Sequence, residues 1–206
     1  MERSFFVRYF EELQKIMGEN REYLIDLDRV VGDGDLGLTM SDGFLAAYQA
    51  VKDSPETDIG KMIYTAGKAM STAVPSTMGT LMASGLMQAG KVLKGKTEIE
   101  NEDLATFFMA YEEGVMNRGK AGIGEKTFLD GLDPAVEAMK AAFAAGDSMK
   151  TVAEKAVRAA EEGFEKTATM LAVHGRAATR GEASRSLKDP GAAVALLMMQ
   201  ALQRTI

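Results

Sequence analysis

Phe5, Phe6, Tyr9, Phe10, Leu13, Ile16 and Met17 fall three or four residues apart, and the same spacing recurs down most of the chain. It is the period of one apolar helix face. The first such helix ends near Gly18. A second, about residues 20–28, carries Tyr23, Leu24 and Leu27 inward. A third runs from about Leu38 to Val51 on Met40, Phe44 and Tyr48. Asp58 is an expected N-cap for a fourth, with Ile59, Met62, Ile63, Ala66 and Met70 buried. That helix stops near Val74, because the residue before a proline disfavours helix. A fifth follows Pro75-Ser76-Thr77-Met78-Gly79-Thr80, and its small residues (Ala83, Ser84, Gly85, Ala89, Gly90) predict a close neighbour. Asn101 is the expected cap of a sixth, containing Leu104, Phe107, Phe108, Tyr111 and Val115. Phe128–Phe143 forms a seventh with Pro134 near its first turn, and Asp147-Ser148 opens an eighth running to about Met170. After an irregular stretch over 171–188, Asp189 as N-cap and Pro190 at the first helical position begin the last. No convincing strand alternation appears. The fold class expected is all-α: one domain over 1–206, a closed antiparallel barrel or bundle of about eight helices.

Composition narrows the function. A hydrophobic content of 46% is enough for a large core, and the 15 methionines read as flexible filler within it. The absence of cysteine excludes disulfides, zinc–thiolate sites and thiol catalysis. A net charge of −6 argues against a nucleic-acid surface. No apolar run approaches the ~20 residues of a membrane span, and Met1-Glu2-Arg3-Ser4 lacks a signal-peptide pattern. A soluble cytoplasmic protein is expected.

One stretch interrupts the helical pattern with chemistry. Asp28-Arg29-Val30-Val31-Gly32-Asp33-Gly34-Asp35-Leu36-Gly37-Leu38-Thr39 holds three carboxylates and three glycines. The glycines predict a turn. Extended backbone around Gly34 would point Asp33 and Asp35 to one side, with Asp28 closing on them from the preceding helix. Three crowded carboxylates repel one another unless a cation lies between them. Oxygen-only ligands favour Mg²⁺ or Ca²⁺. A helix starting near Leu38 would add a phosphate-attracting N-terminus. An Asp/Gly-rich stretch is also, simply, a turn. An EF-hand loop is a poor fit, because Phe44 stands where the twelfth-position carboxylate is required.

Three other segments bear on function. Residues 75–80 are a helix cap or a second phosphate-facing turn. Residues 117–127, glycine-rich and basic, are a solvated loop or a cover over an anion. The 171–188 stretch, with Arg176, Arg180 and Arg185, looks able to present cations. His174, the sole histidine, reads as an ordinary loop residue.

Taken together, the Asp28–Gly37 motif, Asn117-Arg118-Gly119-Lys120 with Glu125-Lys126-Thr127, Gly175-Arg176-Ala177 and Asp189-Pro190-Gly191-Ala192 resemble, in order and spacing, the nucleotide-binding L subunit of the dihydroxyacetone kinases. The resemblance covers nearly the whole chain. It implies a barrel of antiparallel helices with ADP or ATP at one end. It implies that Asp28, Asp33 and Asp35 bind a pair of Mg²⁺ ions that hold the nucleotide's phosphates. Leu36, Gly37, Leu38 and Thr39 fall where family members contact the nucleotide, and Thr77 and Met78 on a second phosphate-contacting turn. Gly119 and Phe128 lie beside the nucleotide under a lid. Arg176 matches a contacting arginine with a catalytic role, and Asp189, Pro190 and Gly191 match a contact near base and ribose. The resemblance also implies a separate substrate-binding K subunit holding a short keto-sugar, and a phosphocarrier M subunit of the phosphotransferase system or ATP as phosphate source. Leu36 stands where phosphotransferase-linked members often carry histidine, and Met78 where a serine is usual. The donor and the sugar are therefore left open. Two alternatives remain: a nucleotide-sensing regulatory subunit without its own catalysis, and a metal-dependent phosphohydrolase.

Overall fold

The computed structural model describes residues 1–206 as nine α-helices without a β-strand. They are α1 (Arg3–Glu19), α2 (Arg21–Val31), α3 (Leu36–Val51), α4 (Ile59–Ala73), α5 (Thr77–Val92), α6 (Asn101–Gly119), α7 (Phe128–Ala144), α8 (Met149–Lys166) and α9 (Pro190–Thr205). Two 3-10 segments, Thr167–Thr169 and Arg176–Ser184, lie between α8 and α9. No helix is long and apolar enough to cross a membrane.

From α3 onward each helix packs on the next, and α1 closes the ring by packing on both α3 and α9. The short α2 lies against α3 and α9 and touches the 176–184 segment. A single connected core runs from Phe5 to Leu202. Its aromatic centre is Phe6, Tyr9, Phe107 and Phe108, where Phe107 and Phe108 meet edge-on at 4.9 Å. The small residues of α5 do what their size predicts. A Cβ on Gly85 would lie 2.7 Å from the Tyr111 ring of α6, and one on Gly90 would lie 2.6 Å from the Gly60 carbonyl oxygen of α4.

Helix direction alternates around the ring. The far end holds the start of α1, where the Met1 ammonium donates to the Ile99 carbonyl just before α6. At the opposite end α3, α5, α7 and α9 all begin. Ser76, before α5, donates to Thr39 of α3 at 3.4 Å. Gly191 of α9 lies so close to the Phe128 N–H of α7 that a Cβ would come within 3.0 Å of it.

Several local expectations shift. α2 continues through Asp28 to Val31 and buries Leu24, Ile25 and Val31, while Tyr23 is 47% exposed. The apolar stripe therefore sits one residue further round than expected. α3 begins at Leu36, two residues early, and Tyr48 is only half-buried. The N-cap of α6 is Glu100, whose N–H donates to the Asp103 carboxylate at 3.0 Å. That bond draws Asn101 into the helix. Pro134 lies in the second turn of α7 and leaves the Asp130 carbonyl without its helical donor. Gly163 of α8 packs directly over that carbonyl, where a Cβ would come within 2.4 Å.

Candidate functional site

The acidic turn owes its shape to two glycines. The Gly32 N–H closes α2 on the Asp28 carbonyl at 2.5 Å. A Cβ on Gly32 would stand 2.4 Å from Asp28 Oδ1. Gly34 has φ +77°, a left-handed backbone that side-chain-bearing residues avoid. The backbone here is thus not extended, and the expected route to bringing Asp33 and Asp35 together is incorrect. Asp35 instead takes the N-cap position of α3. The carboxylates converge all the same: one oxygen from each of Asp28, Asp33 and Asp35 lies within 4.8 Å of the others.

Each carboxylate is held differently. Asp28 Oδ2 accepts from the Gly34 N–H at 3.0 Å and the Leu36 N–H at 3.3 Å. Asp33 Oδ2 meets Arg176 Nη2 at 2.6 Å. Asp35 makes no capping hydrogen bond, so its oxygens are uncommitted. Partial burial pushes the Asp35 carboxyl above the usual range, neighbouring Asp33 and Asp28 push the same way, and Arg176 opposes them. The donor set is all oxygen and carries three formal charges. That chemistry fits a hard divalent cation.

Four helix N-termini open at this end of the barrel, and they are not equivalent. Ser76 caps α5 by accepting from the Gly79 N–H at 3.0 Å. Thr127 caps α7 by accepting from the Leu129 N–H at 3.2 Å. Asp189 caps α9 by accepting from the Ala192 N–H at 2.7 Å. Only at α3 does the capping position leave its side chain free. First-turn N–H groups have no intrahelical partner and attract anions; at α3 Asp28 takes that of Leu36, and those of Gly37 and Leu38 remain open to an external one.

The remaining candidates divide between rim and core. Leu38 and Thr77 are exposed at the site end, and Gly119 and Gly191 are half-buried there. Leu36, Gly37 and Thr39 are buried. A Cβ on Gly37 would stand 2.1 Å from the Arg21 carbonyl oxygen, so Gly37 lets α3 cross α2. Met78 leans on the core. The Phe128 ring is 2% exposed and packs against Tyr111 at 6.1 Å; only its backbone can face the site. Asp189 and Pro190 are buried. Burial pushes the Asp189 carboxyl up to about 7; Asp130 adds to the rise, while the Ala192 N–H and Lys126 work against it.

Arg176 reaches Asp33 because the chain between α8 and α9 forms a strap tied to the loop before α7. His174 Nε2 lies 2.6 Å from Glu125 Oε2, which also accepts from the Gly122 N–H at 2.6 Å. His174 is thus paired, which its reading as an ordinary loop residue missed. Asp130 accepts from the Gly124 N–H at 2.5 Å and the Thr127 N–H at 2.7 Å. The Thr127-x-x-Asp130 spacing announces that box in sequence. Lys126, 2% exposed, gives no such signal. Its ammonium donates to the carbonyls of Thr167 and Ser184, both at 2.7 Å, and to Leu187. Burial pulls Lys126 below the ordinary lysine range, with Asp189 opposing.

The chain is similar to known proteins over nearly its whole length. The profile of the DAK2 domain matches residues 30–204. The chain is 32% identical over 202 residues to the PEP-dependent dihydroxyacetone kinase, ADP-binding subunit DhaL, of Escherichia coli (strain K12), spanning 98% of this chain and 96% of that one. It is 33% identical over 200 residues to the L-erythrulose 1-kinase of Mycolicibacterium smegmatis, spanning 95% of this chain but only 34% of that protein. The crystal structure of the C. freundii dihydroxyacetone kinase in complex with AMP-PNP and Mg2+ superposes with a TM-score of 0.71 at 22% identity. That match spans 97% of this chain and 33% of the solved one. At that identity the likeness speaks for the fold.

Proposed function

Because this chain belongs to the DAK2 domain family, we propose that it is the nucleotide-binding subunit of a kinase for dihydroxyacetone or a related short keto-sugar. The sugar is held on a separate K-type subunit, and activity requires both. The observation that carries this reading is the convergence of Asp28, Asp33 and Asp35 within 4.8 Å beside the start of α3, where the Asp35 side chain makes no capping bond. Carboxylates alone would repel a polyphosphate. Beside a helix N-terminus they instead suit a metal-chelated one.

The three aspartates would hold two magnesium ions, which when bound neutralise phosphate oxygens and align the terminal phosphorus for transfer. The chain's own residues do the rest. The Leu36–Thr39 turn of α3 offers the backbone N–H groups of Gly37 and Leu38 to phosphate oxygens, since those of Leu36 and Thr39 bond Asp28 and the Asp35 carbonyl, and α5 offers those of Thr77 and Met78. Gly119, the backbone at Phe128, and Asp189–Gly191 form the wall toward base and ribose. Arg176 brings a guanidinium to the charge that develops as the phosphoryl group leaves. The strap over the site limits water, which favours transfer to an alcohol over hydrolysis.

The phosphate source is either ATP or a phosphocarrier that recharges bound ADP. The relative from E. coli is named PEP-dependent, which favours the phosphocarrier. Native mass spectrometry of the purified protein tests this: retained ADP supports recharging in place, and an empty site supports exchange with ATP. Incubation with a K-type subunit, keto-sugar and either donor then tests catalysis. Phosphorylated sugar is the expected product. Tight ADP binding without product would instead mark a nucleotide-sensing subunit, and phosphate release without acceptor a phosphohydrolase.

A further inference from the structure

The strap between α8 and α9 is held in two different ways. At its base, Lys126 Nζ lies among the carbonyls of Thr167, Ser184 and Leu187, with Met170 at 3.4 Å. These carbonyls come from both ends of the strap, so one ammonium gathers them. Every group it meets is an acceptor, and its three protons are all used, which suits the charged form. Lys126 has φ +62°, rare for a residue with a side chain, and directly precedes the N-cap of α7. The same base is closed by the Ala172 N–H on Ser184 Oγ and the Asp189 N–H on Thr167 Oγ1, both at 3.0 Å. The tip is different. It rests on Arg176–Asp33, with the arginine side chain 69% exposed, and on His174–Glu125. Solvated pairs of that kind hold weakly.

We propose that Lys126 is the positioning residue for Arg176: it fixes the base of the strap, so that a releasable tip carries the guanidinium to one place over the acidic turn. This rests on the reading that Arg176 meets a phosphate. Lys126 itself is buried and committed to the strap's carbonyls, so it acts through Arg176.

The test compares Lys126→Met with Arg176→Ala in the full chain, using three readouts: amide exchange over 171–188, Mg-ADP affinity by calorimetry, and kcat of transfer with the K-type subunit. Losing a buried charge-assisted anchor should speed strap exchange and lower kcat of K126M by about tenfold or more, with affinity changed less than about threefold. Unchanged strap exchange, or unchanged kcat beside a slow Arg176→Ala, overturns the positioning role and leaves the reading of Arg176 standing. An Arg176→Ala protein that transfers normally removes that reading itself. Should K126M fail to fold, Ser184→Ala decides on the same readouts. It opens the same base without emptying a buried cage, and the same ordering with smaller changes is expected.

Discussion

Arg176 Nη2 stands 2.6 Å from Asp33 Oδ2. The arginine is thus counter-ion to one of the three carboxylates proposed to hold a cation. Asp33 meeting a divalent cation would weaken its need for the guanidinium and leave Arg176 available to a phosphate.

Asp33→Asn and Asp35→Asn should each weaken Mg-dependent ADP binding by about a hundredfold, because each removes a charged ligand. Circular dichroism should stay helical, since neither side chain caps α3. A chelator should do the same to the unaltered protein. Calorimetry showing equal affinity for either variant would remove these residues from the site.

Arg176→Ala should lower kcat by about 10³-fold, as for other cations that stabilise phosphoryl transfer. Nucleotide affinity should change far less, because the interaction strengthens only as charge develops. A loss confined to affinity would make Arg176 a binding residue only.

Gly37→Ala should destabilise the fold by about 3 kcal/mol in urea melts. The added Cβ would lie 2.1 Å from the Arg21 carbonyl oxygen, and backbone cannot move aside as a side chain would. A small change would mean that α2 shifts freely on α3.

Glu112→Gln tests electrostatics away from the site. Burial first, then the charge and hydrogen bond of Asp133 and the charge of Glu137, push the Glu112 carboxyl up to about 7, with Lys140 opposing. The unfolded chain should titrate it near ~4.3. The native state therefore binds this proton more tightly. Native stability is favoured below about pH 4.3 and falls as pH rises to about 7. Glutamine cannot ionise, so the variant should gain on the parent across that window and hold the gain above it. Allowing for solvent screening of a half-exposed group, about 1 kcal/mol is expected at pH 8. Denaturant melts at pH 4.5 and 8 that show no divergence would refute the shift.

Much of this molecule can be read from residue order. Apolar spacing located the helices, and Asp58 and Asp189 announced caps that the structure places where expected. The three aspartates were visible because acids between glycines are a local pattern. Misplaced details were those set by neighbours. The stripe of α2 turns to suit α3 and α9, so Tyr23 faces solvent. The ring of Phe128 belongs to the core beside Tyr111.

Residue order alone determined the all-helical fold and the oxygen-rich turn, because helix period, capping and glycine turns depend on positions a few residues apart. The tertiary structure decided what meets across the barrel end. It set Arg176 on Asp33, His174 on Glu125 and Lys126 beneath the strap. Those contacts join segments far apart in sequence, and their partners are often carbonyl oxygens. Every residue carries such an oxygen, so no spacing of residue types could point to them.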